Sequence, residues 1–387
     1  MGHFNTMMSQ LLIHIPRHDF ESLVSQWGGD RYVKKFTTWN QFTTLLYAQA
    51  GDKRSLRDIE QGLTAQSGKL YHLGFESAVR RSTLSEANAI RNWAIFQGLF
   101  EKLLMRCQSL APRHRFKFKN PLFLWDATVI DVCLSMFPWA KFRTTKGALK
   151  LHCQLDDAGH IPSFAVVTDG KCHDVRAAKT FFELIPDSIY CMDKGYYDFD
   201  LFRRIHDTGA FFVTRAKNNL VYTVAGQQEL PKNKAVLADR TIELSGFYSH
   251  KDFPSPLRLI RFYDADNDRT FEFLTNNFRL AATTIAAIYK ARWQIEAFFK
   301  FIKQNLKVKT FLGTSKNAVL TQLWVAMCYF LLLAYIKFQT KYRFTLYYLH
   351  RIIRETLLER LSLIDLLGLT EATLPKVRDK DQLCLAF

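Results

Sequence analysis

Six residues in three clusters carry the chemistry this sequence offers: Asp126, Asp193, and the set Tyr289, Arg292, Glu296 and Lys303. Asp126 sits inside the apolar run Leu122 to Ile130 (LFLWDATVI), and Asp193 ends the run SIYCM before Lys-Gly-Tyr. Aspartates at the ends of buried strands stand where rigid backbone meets exposed loop, the place where active sites of α/β sheets collect. Taken singly, each is more often a cap or turn residue. Residues Tyr289 to Lys303 read YKARWQIEAFFKFIK. On a helical wheel Tyr289, Arg292, Glu296 and Lys303 fall at roughly 0°, −60°, −20° and −40°, one narrow stripe. Ile288, Ile295, Phe299, Ile302 and Leu306 fall between about −80° and −140°, an apolar stripe beside it. The helix thus presents a carboxylate, two cations and a phenol along the border of its buried face. A carboxylate for metal and cations for phosphate suit phosphodiester chemistry. A solvated face with an ordinary Arg292–Glu296 i, i+4 pair has the same spacing, so both readings stand at this level.

The elements that must position these residues follow from periodicity. Leu122 to Ile130 reads as a buried strand. Ala148 to Leu155 and Ile161 to Val167 flank the turn signature Asp156-Asp-Ala-Gly159 and form a hairpin. Val175 to Leu184 reads as a helix, Ile189 to Met192 as a strand, Phe199 to His206 as a helix and Ala210 to Thr214 as a strand. Three antiparallel strands followed by two crossovers specify a mixed sheet with helices on both faces. The first ~110 residues are helical, with a capped start at Ser55 and apolar spacing sustained from Ser85 to Leu104. Arg113 to Lys119 alternates basic residues with His114, Phe116 and Phe118, which suits an extended arm or edge strand and marks a boundary. From Lys217 to about Leu280 the pattern is β-rich, and helical periodicity returns at Thr283.

The chain has 53 Lys and Arg against 36 Asp and Glu, a formal charge of +17. Counterion release from phosphates makes nucleic acid the default partner at that charge. Seven cysteines without a CxxC pair argue against a disulfide framework or a zinc ribbon and fit a reducing cytosol. The N-terminus, interrupted by His14 and Pro16, does not read as a signal peptide. Ala318 to Ile336 is apolar enough to span a bilayer, yet Thr321 and Gln322 lie within it, and a buried core helix is the expected assignment.

Together these residues resemble a known family. Tyr289-x2-Arg292-x3-Glu296-x6-Lys303 is similar to the Y-x2-R-x3-E-x6-K signature of bacterial insertion-sequence DDE transposases of the group numbered four. Asp126 in Trp-Asp-Ala-Thr resembles that family's first aspartate motif, and Asp193 in Met-Asp-Lys-Gly-Tyr its second, D-x-G-[FY]. The resemblance implies an α/β fold, a ribonuclease-H-like mixed sheet interrupted by a β insertion. The divisions expected are a helical DNA-binding region at 1–118, the core at 119–216, the insertion at 217–280, the second part of the core at 281–336 and a helical C-terminal region at 337–387. It also implies catalytic, metal-binding roles for Asp126, Asp193 and Glu296, which would hold two Mg²⁺ ions, with Mn²⁺ able to substitute. Hydrolytic nicking at the terminal inverted repeats and joining to target DNA would follow. Tyr289, Arg292 and Lys303 would grip phosphates near the cleaved bond, Arg by a fork and Lys as a point charge.

Other features carry less. Arg215 and Lys217, after a strand, and Lys300, Lys307 and Lys309 near Glu296 suit DNA backbone contacts or plain solvated charge. The same two readings apply to Lys141, Arg143, Lys146 and Lys150. His173-Asp174 admits a metal or acid–base role, against which Asp174 reads first as an N-cap for the helix starting at Val175. Several members of that family form a hairpin at the transposon end and stack a flipped base on an aromatic of the insertion. No tryptophan lies between Lys217 and Leu280, which leaves Tyr222, Phe247, Tyr248, Phe253 or Trp293. A dimer at DNA synapsis, no membrane and a cytoplasmic, nucleoid-associated location complete the expectation. A silent DNA-binding relic and a plain metal-dependent nuclease are its rivals.

Overall fold

Three antiparallel strands open the sheet on which every acidic candidate depends: β1 (Leu122–Val132), β2 (Gly147–Asp156) and β3 (Ile161–Asp169). The computed structural model describes residues 5–76, 78–132, 135–140, 147–232, 234–306 and 311–369. Lys141, Arg143, Lys146, Lys307 and Lys309 lie outside the described residues. After β3 come α7 (Asp174–Phe181), β4 (Ile189–Met192), α8 (Phe199–Asp207) and β5 (Phe211–Arg215). β4 pairs parallel with β1 and β5 parallel with β4, as two crossovers require. Gly159, at φ +77°, supplies the left-handed position the β2–β3 turn needs.

The β-rich stretch continues this sheet. Its strands β6 (Tyr222–Gln227), β7 (Val236–Leu244), β8 (Leu257–Asp264) and β9 (Arg269–Thr275) give the order β3-β2-β1-β4-β5-β9-β8-β7-β6. β9 closes antiparallel on β5, with Val213 opposite Thr275. A short helix, α9 (Phe247–Asp252), joins β7 to β8. Arg258 on β8 grips Asp239 on β7 with both arms, Nε to Oδ1 at 2.8 Å and Nη2 to Oδ2 at 2.6 Å. Its Nη1 also donates to the Asn277 and Leu280 carbonyls, tying the added strands to the chain that enters the next helix.

Alternation along the strands separates two cores. Phe123, Trp125, Tyr190, Met192 and Phe212 face Phe182, Leu201, Phe202 and Ile205 of the α7–α8 side. Leu122, Leu124, Cys191 and Val213 join the larger core with α10 (Ala282–Ala291), α11 (Trp293–Asn305) and α12 (Lys316–Thr340). The same core takes in residues of α1 (Met7–Ile13), α2 (Arg17–Gln26), α3 (Thr38–Ala50), α4 (Leu56–Ala65), α5 (Arg81–Ile90), α6 (Ala94–Leu110), α13 (Leu346–Thr356) and α14 (Leu363–Leu369). α12 is the apolar helix seen in the sequence; 94% of its most apolar window is buried inside the protein. Each fully buried leucine there contributes about 1.5–3 kcal/mol.

Local chemistry explains the boundaries. The α3 start is closed by a Thr37–Asn40 capping box, and Ser55 accepts from the Asp58 N–H at 3.1 Å. The helical pattern from Ser85 to Leu104 is two helices, not one. Asn317 of α12 bonds the Asn88 and Arg91 carbonyls and accepts from Trp93 N, which holds the break. Residues 113–119 form an irregular arm rather than a strand, with Phe116 and Phe118 stacked at 5.1 Å.

Candidate active site

Parallel pairing of β1 with β4 sets Trp125 opposite Met192, so Asp126 and Asp193 follow on adjacent strands. Asp193 begins a tight turn, where its Oδ1 accepts from Gly195 N at 2.7 Å. Across from them α10 and α11 run over the sheet with Arg292 at their junction. The signature segment is therefore not one straight helix: it breaks at Arg292, whose N–H donates to the Tyr289 carbonyl. From that break the guanidinium spans two carboxylates, Nη1 3.3 Å from Asp126 Oδ2 and Nη2 2.5 Å from Glu296 Oε1. The i, i+4 pair expected from spacing exists, and the same arginine also reaches the sheet.

The electrostatics mark a crowded anionic pocket. Burial pushes the Asp126 carboxyl up to about 7, and the charges of Asp193 and Glu296 push the same way. The Ala127 N–H, 2.8 Å from Oδ1, and Arg292 oppose the shift. Burial works against the charge of Arg292, but Tyr289, Asp126 and Glu296 outweigh it and hold the guanidinium firmly protonated. Three carboxylates are hard oxygen donors of the kind divalent cations take. Asp126, whose charge burial and the neighbouring carboxylates disfavour, is the kind of group a cation would relieve. As the side chains stand, no three His, Cys, Asp or Glu among the described residues converge closely enough to hold an ion.

Next to the acids lies a cationic, aromatic cluster. The Tyr289 ring packs 5.0 Å from Phe273, with the Arg215 and Arg292 guanidinium carbons each 5.6 Å from its centroid. Tyr289 Oη, Arg215 Nε and Arg292 Nε are buried and meet no hydrogen-bond partner among the described residues. Lys217 is exposed, its Nζ 4.8 Å from the Tyr197 ring beside the Asp193 turn. Lys303 is half-buried on α11. Lys300 lines a different groove, about 590 Å³, together with His160, Lys337 and Tyr347. Among the aromatic candidates, Phe247 and Tyr248 are each 78% exposed and Trp293 is 65%, whereas Phe253 is buried in the core and unable to stack on a base.

One neighbour takes a different place from the N-cap expected of it. Asp174 is not an N-cap: its Oδ1 pairs with Lys150 Nζ at 2.8 Å and lies 3.3 Å from His152 Nδ1. Burial would raise its carboxyl, but bonds to His152 and Lys150 hold it below the usual range. A Cβ on Gly195 would sit 2.9 Å from Asp193 Oδ1 and 3.3 Å from Asp174 Oδ2, so the two carboxylates flank that glycine. Lys150 and His152 alternate on one face of β2, but nothing in the sequence links them to a residue more than twenty positions later.

Residues 117–331 match the family model described as Transposase DDE domain, and residues 3–76 match that of a domain of unknown function, DUF4372. A relative from Sinorhizobium fredii, named as a transposase, is 35% identical over 254 residues, covering 65% of this chain and 69% of its own. One from Geobacillus stearothermophilus, named as a transposase for insertion sequence element IS5377, is 29% identical over 279 residues, 72% of each chain. The chain belongs to the DDE transposase family. It is a DNA transposase of the insertion-sequence kind with a ribonuclease-H-like core, an enzyme of DNA cleavage and strand transfer. Divalent-metal dependence is general to that family.

Proposed function

We propose that Asp126, Asp193 and Glu296 are this transposase's catalytic, metal-holding carboxylates. The observation that carries the reading is the bridge from Asp126 through Arg292 to Glu296, with Asp193 near enough to raise the Asp126 carboxyl. Two Mg²⁺ ions, replaceable by Mn²⁺, would supply activation of water or a 3′-hydroxyl and stabilisation of the leaving 3′-oxygen. The chain's own residues do the rest. Asp126 lies within β1, just past its parallel pairing with β4 and not at a strand end as the sequence suggested, Asp193 directly follows β4, and Glu296 is on α11. Tyr289, Arg215 and Arg292 offer buried donors to a DNA phosphate, and their missing partners support that role. Lys303 and Lys217 add charge along the backbone path, and Lys300 extends it over the neighbouring groove. Phe247 and Tyr248, on the helix within the added strands, suit stacking on an unpaired base.

On this reading residues 1–118 bind terminal inverted repeats, two protomers meet at synapsis, the group-four assignment holds, and the enzyme works on the nucleoid in the cytoplasm. Strand joining tests the function against a plain nuclease or a silent relic. A pre-cut transposon end with a free 3′-hydroxyl, mixed with supercoiled target and Mg²⁺, should be inserted by wild type and not by Glu296→Gln. Cleavage without joining would assign a nuclease, and specific binding without either would assign a relic.

A further inference from the structure

We propose that Arg292 is a two-position switch, held by the Asp126 and Glu296 carboxylates until a DNA phosphate draws it away, so that end binding and loading of divalent ions are coupled. The inference rests on the metal-site reading above. The two arms of the fork occupy Asp126 Oδ2 and Glu296 Oε1, one oxygen from each of two carboxylates that an ion must bring together. Mg²⁺ binds oxygen at about 2.0–2.1 Å, so a guanidinium on the same oxygens and an ion between them exclude each other by contact and by charge.

The second position is built beside the first. Arg292 Nε is buried with no partner while the other two nitrogens hold the acids, Arg215 Nε is in the same condition, and Tyr289 Oη is buried with Arg292 near it but in no well-aligned hydrogen bond. Both guanidinium carbons lie 5.6 Å from the centroid of the Tyr289 ring, whose own hydroxyl is the third donor. A phosphate in that cluster would satisfy donors that the protein leaves bare, and Arg292 would need only side-chain rotation to join it. The break between α10 and α11 falls at this residue. Linkage is reciprocal: a phosphate that draws Arg292 off the acids tightens ion binding, and ions tighten phosphate binding by the same factor. The device would restrain ion loading, and with it hydrolysis, until an end is seated.

Equilibrium Mn²⁺ binding, followed by the electron paramagnetic resonance of the free ion, tests this on the full chain with and without a duplex of the element's terminal sequence. Without DNA, Arg292→Gln should bind Mn²⁺ at least tenfold more tightly than wild type. The duplex should tighten Mn²⁺ binding to wild type by a comparable factor and leave the variant within twofold. Arg292→Lys, which keeps one charge but cannot bridge two carboxylates, should fall between. Variants that bind Mn²⁺ no better than wild type without DNA, or equal tightening by DNA in wild type and Arg292→Gln, would overturn the switch. Glu296→Gln separates the layers. Weakened Mn²⁺ binding there, with Arg292→Gln at wild-type affinity, removes the switch alone. Unchanged binding in Glu296→Gln removes the metal site and the switch together.

Discussion

The Asp193 carboxylate is aimed by a glycine two residues later: its Oδ1 accepts the Gly195 N–H at 2.7 Å and would lie 2.9 Å from a Cβ at that position. Any side chain at 195 must displace Asp193, Asp174 or both. Gly195→Ala should therefore lower cleavage by about tenfold to a hundredfold, the cost of misplacing a reacting group by a fraction of an ångström or more. Its DNA affinity should stay near wild type. Wild-type cleavage in this variant would show that Asp193 is not held by that turn.

Asp126 should limit stability. Its folded value of about 7 lies above the ordinary 3.8, so the folded state binds this proton more tightly than the unfolded chain does. That contribution is complete below about pH 4 and is lost as pH rises through 7. In chelator, Asp126→Asn should be more stable than wild type by on the order of 1–4 kcal/mol at pH 8, and by much less at pH 5. Excess Mn²⁺ should then raise the Tm of wild type and leave that of the variant nearly unchanged. Denaturant titrations at the two pH values check the first part and thermal melts the second; a variant less stable at pH 8 than at pH 5, relative to wild type, contradicts the assignment.

The buried Arg258–Asp239 pair should behave as an all-or-none unit. Asp239→Ala leaves a buried guanidinium without its fork partner, a change that costs about 3–5 kcal/mol. Replacing both residues with apolar ones, Asp239→Leu with Arg258→Met, should recover much of that loss in a double-mutant cycle. Additive effects would mean that the pair is not coupled.

Much of this fold was legible because its signals are local. An apolar run around Asp126 marked β1 and one ending before Asp193 marked β4, the Asp-Asp-Ala-Gly turn marked the β2–β3 hairpin, and the 3.6-residue stripe put Arg292 and Glu296 on one face. Signals that depend on distant partners were silent. The break at Arg292, and the one where Asn317 makes three hydrogen bonds, involve contacts that periodicity does not register. That the β-rich stretch extends the main sheet depends on β9 meeting β5, a pairing across some sixty residues. The contact from Arg292 to Asp126 spans 166 positions. The Lys150–Asp174–His152 group is likewise visible only in three dimensions.

Phe247 and Tyr248 stand clear of the core with their rings 5.3 Å apart. Their joint replacement by alanine should change stability by no more than about 1 kcal/mol, because each sits on the surface. With 2-aminopurine at the terminal base of a transposon end, wild type should alter the fluorescence on binding and the double variant should not. Loss of the signal in Trp293→Ala instead would move the stacking role to α11.

Cleavage of DNA carrying the ends of the native element, by purified protein with Mg²⁺, tests the central claim most directly. Wild type should cut at the terminal repeats, and Asp126→Asn, Asp193→Asn and Glu296→Gln should each lose cutting while still binding the ends. Full cleavage by any one of the three would contradict the assignment of that carboxylate and with it the three-acid site.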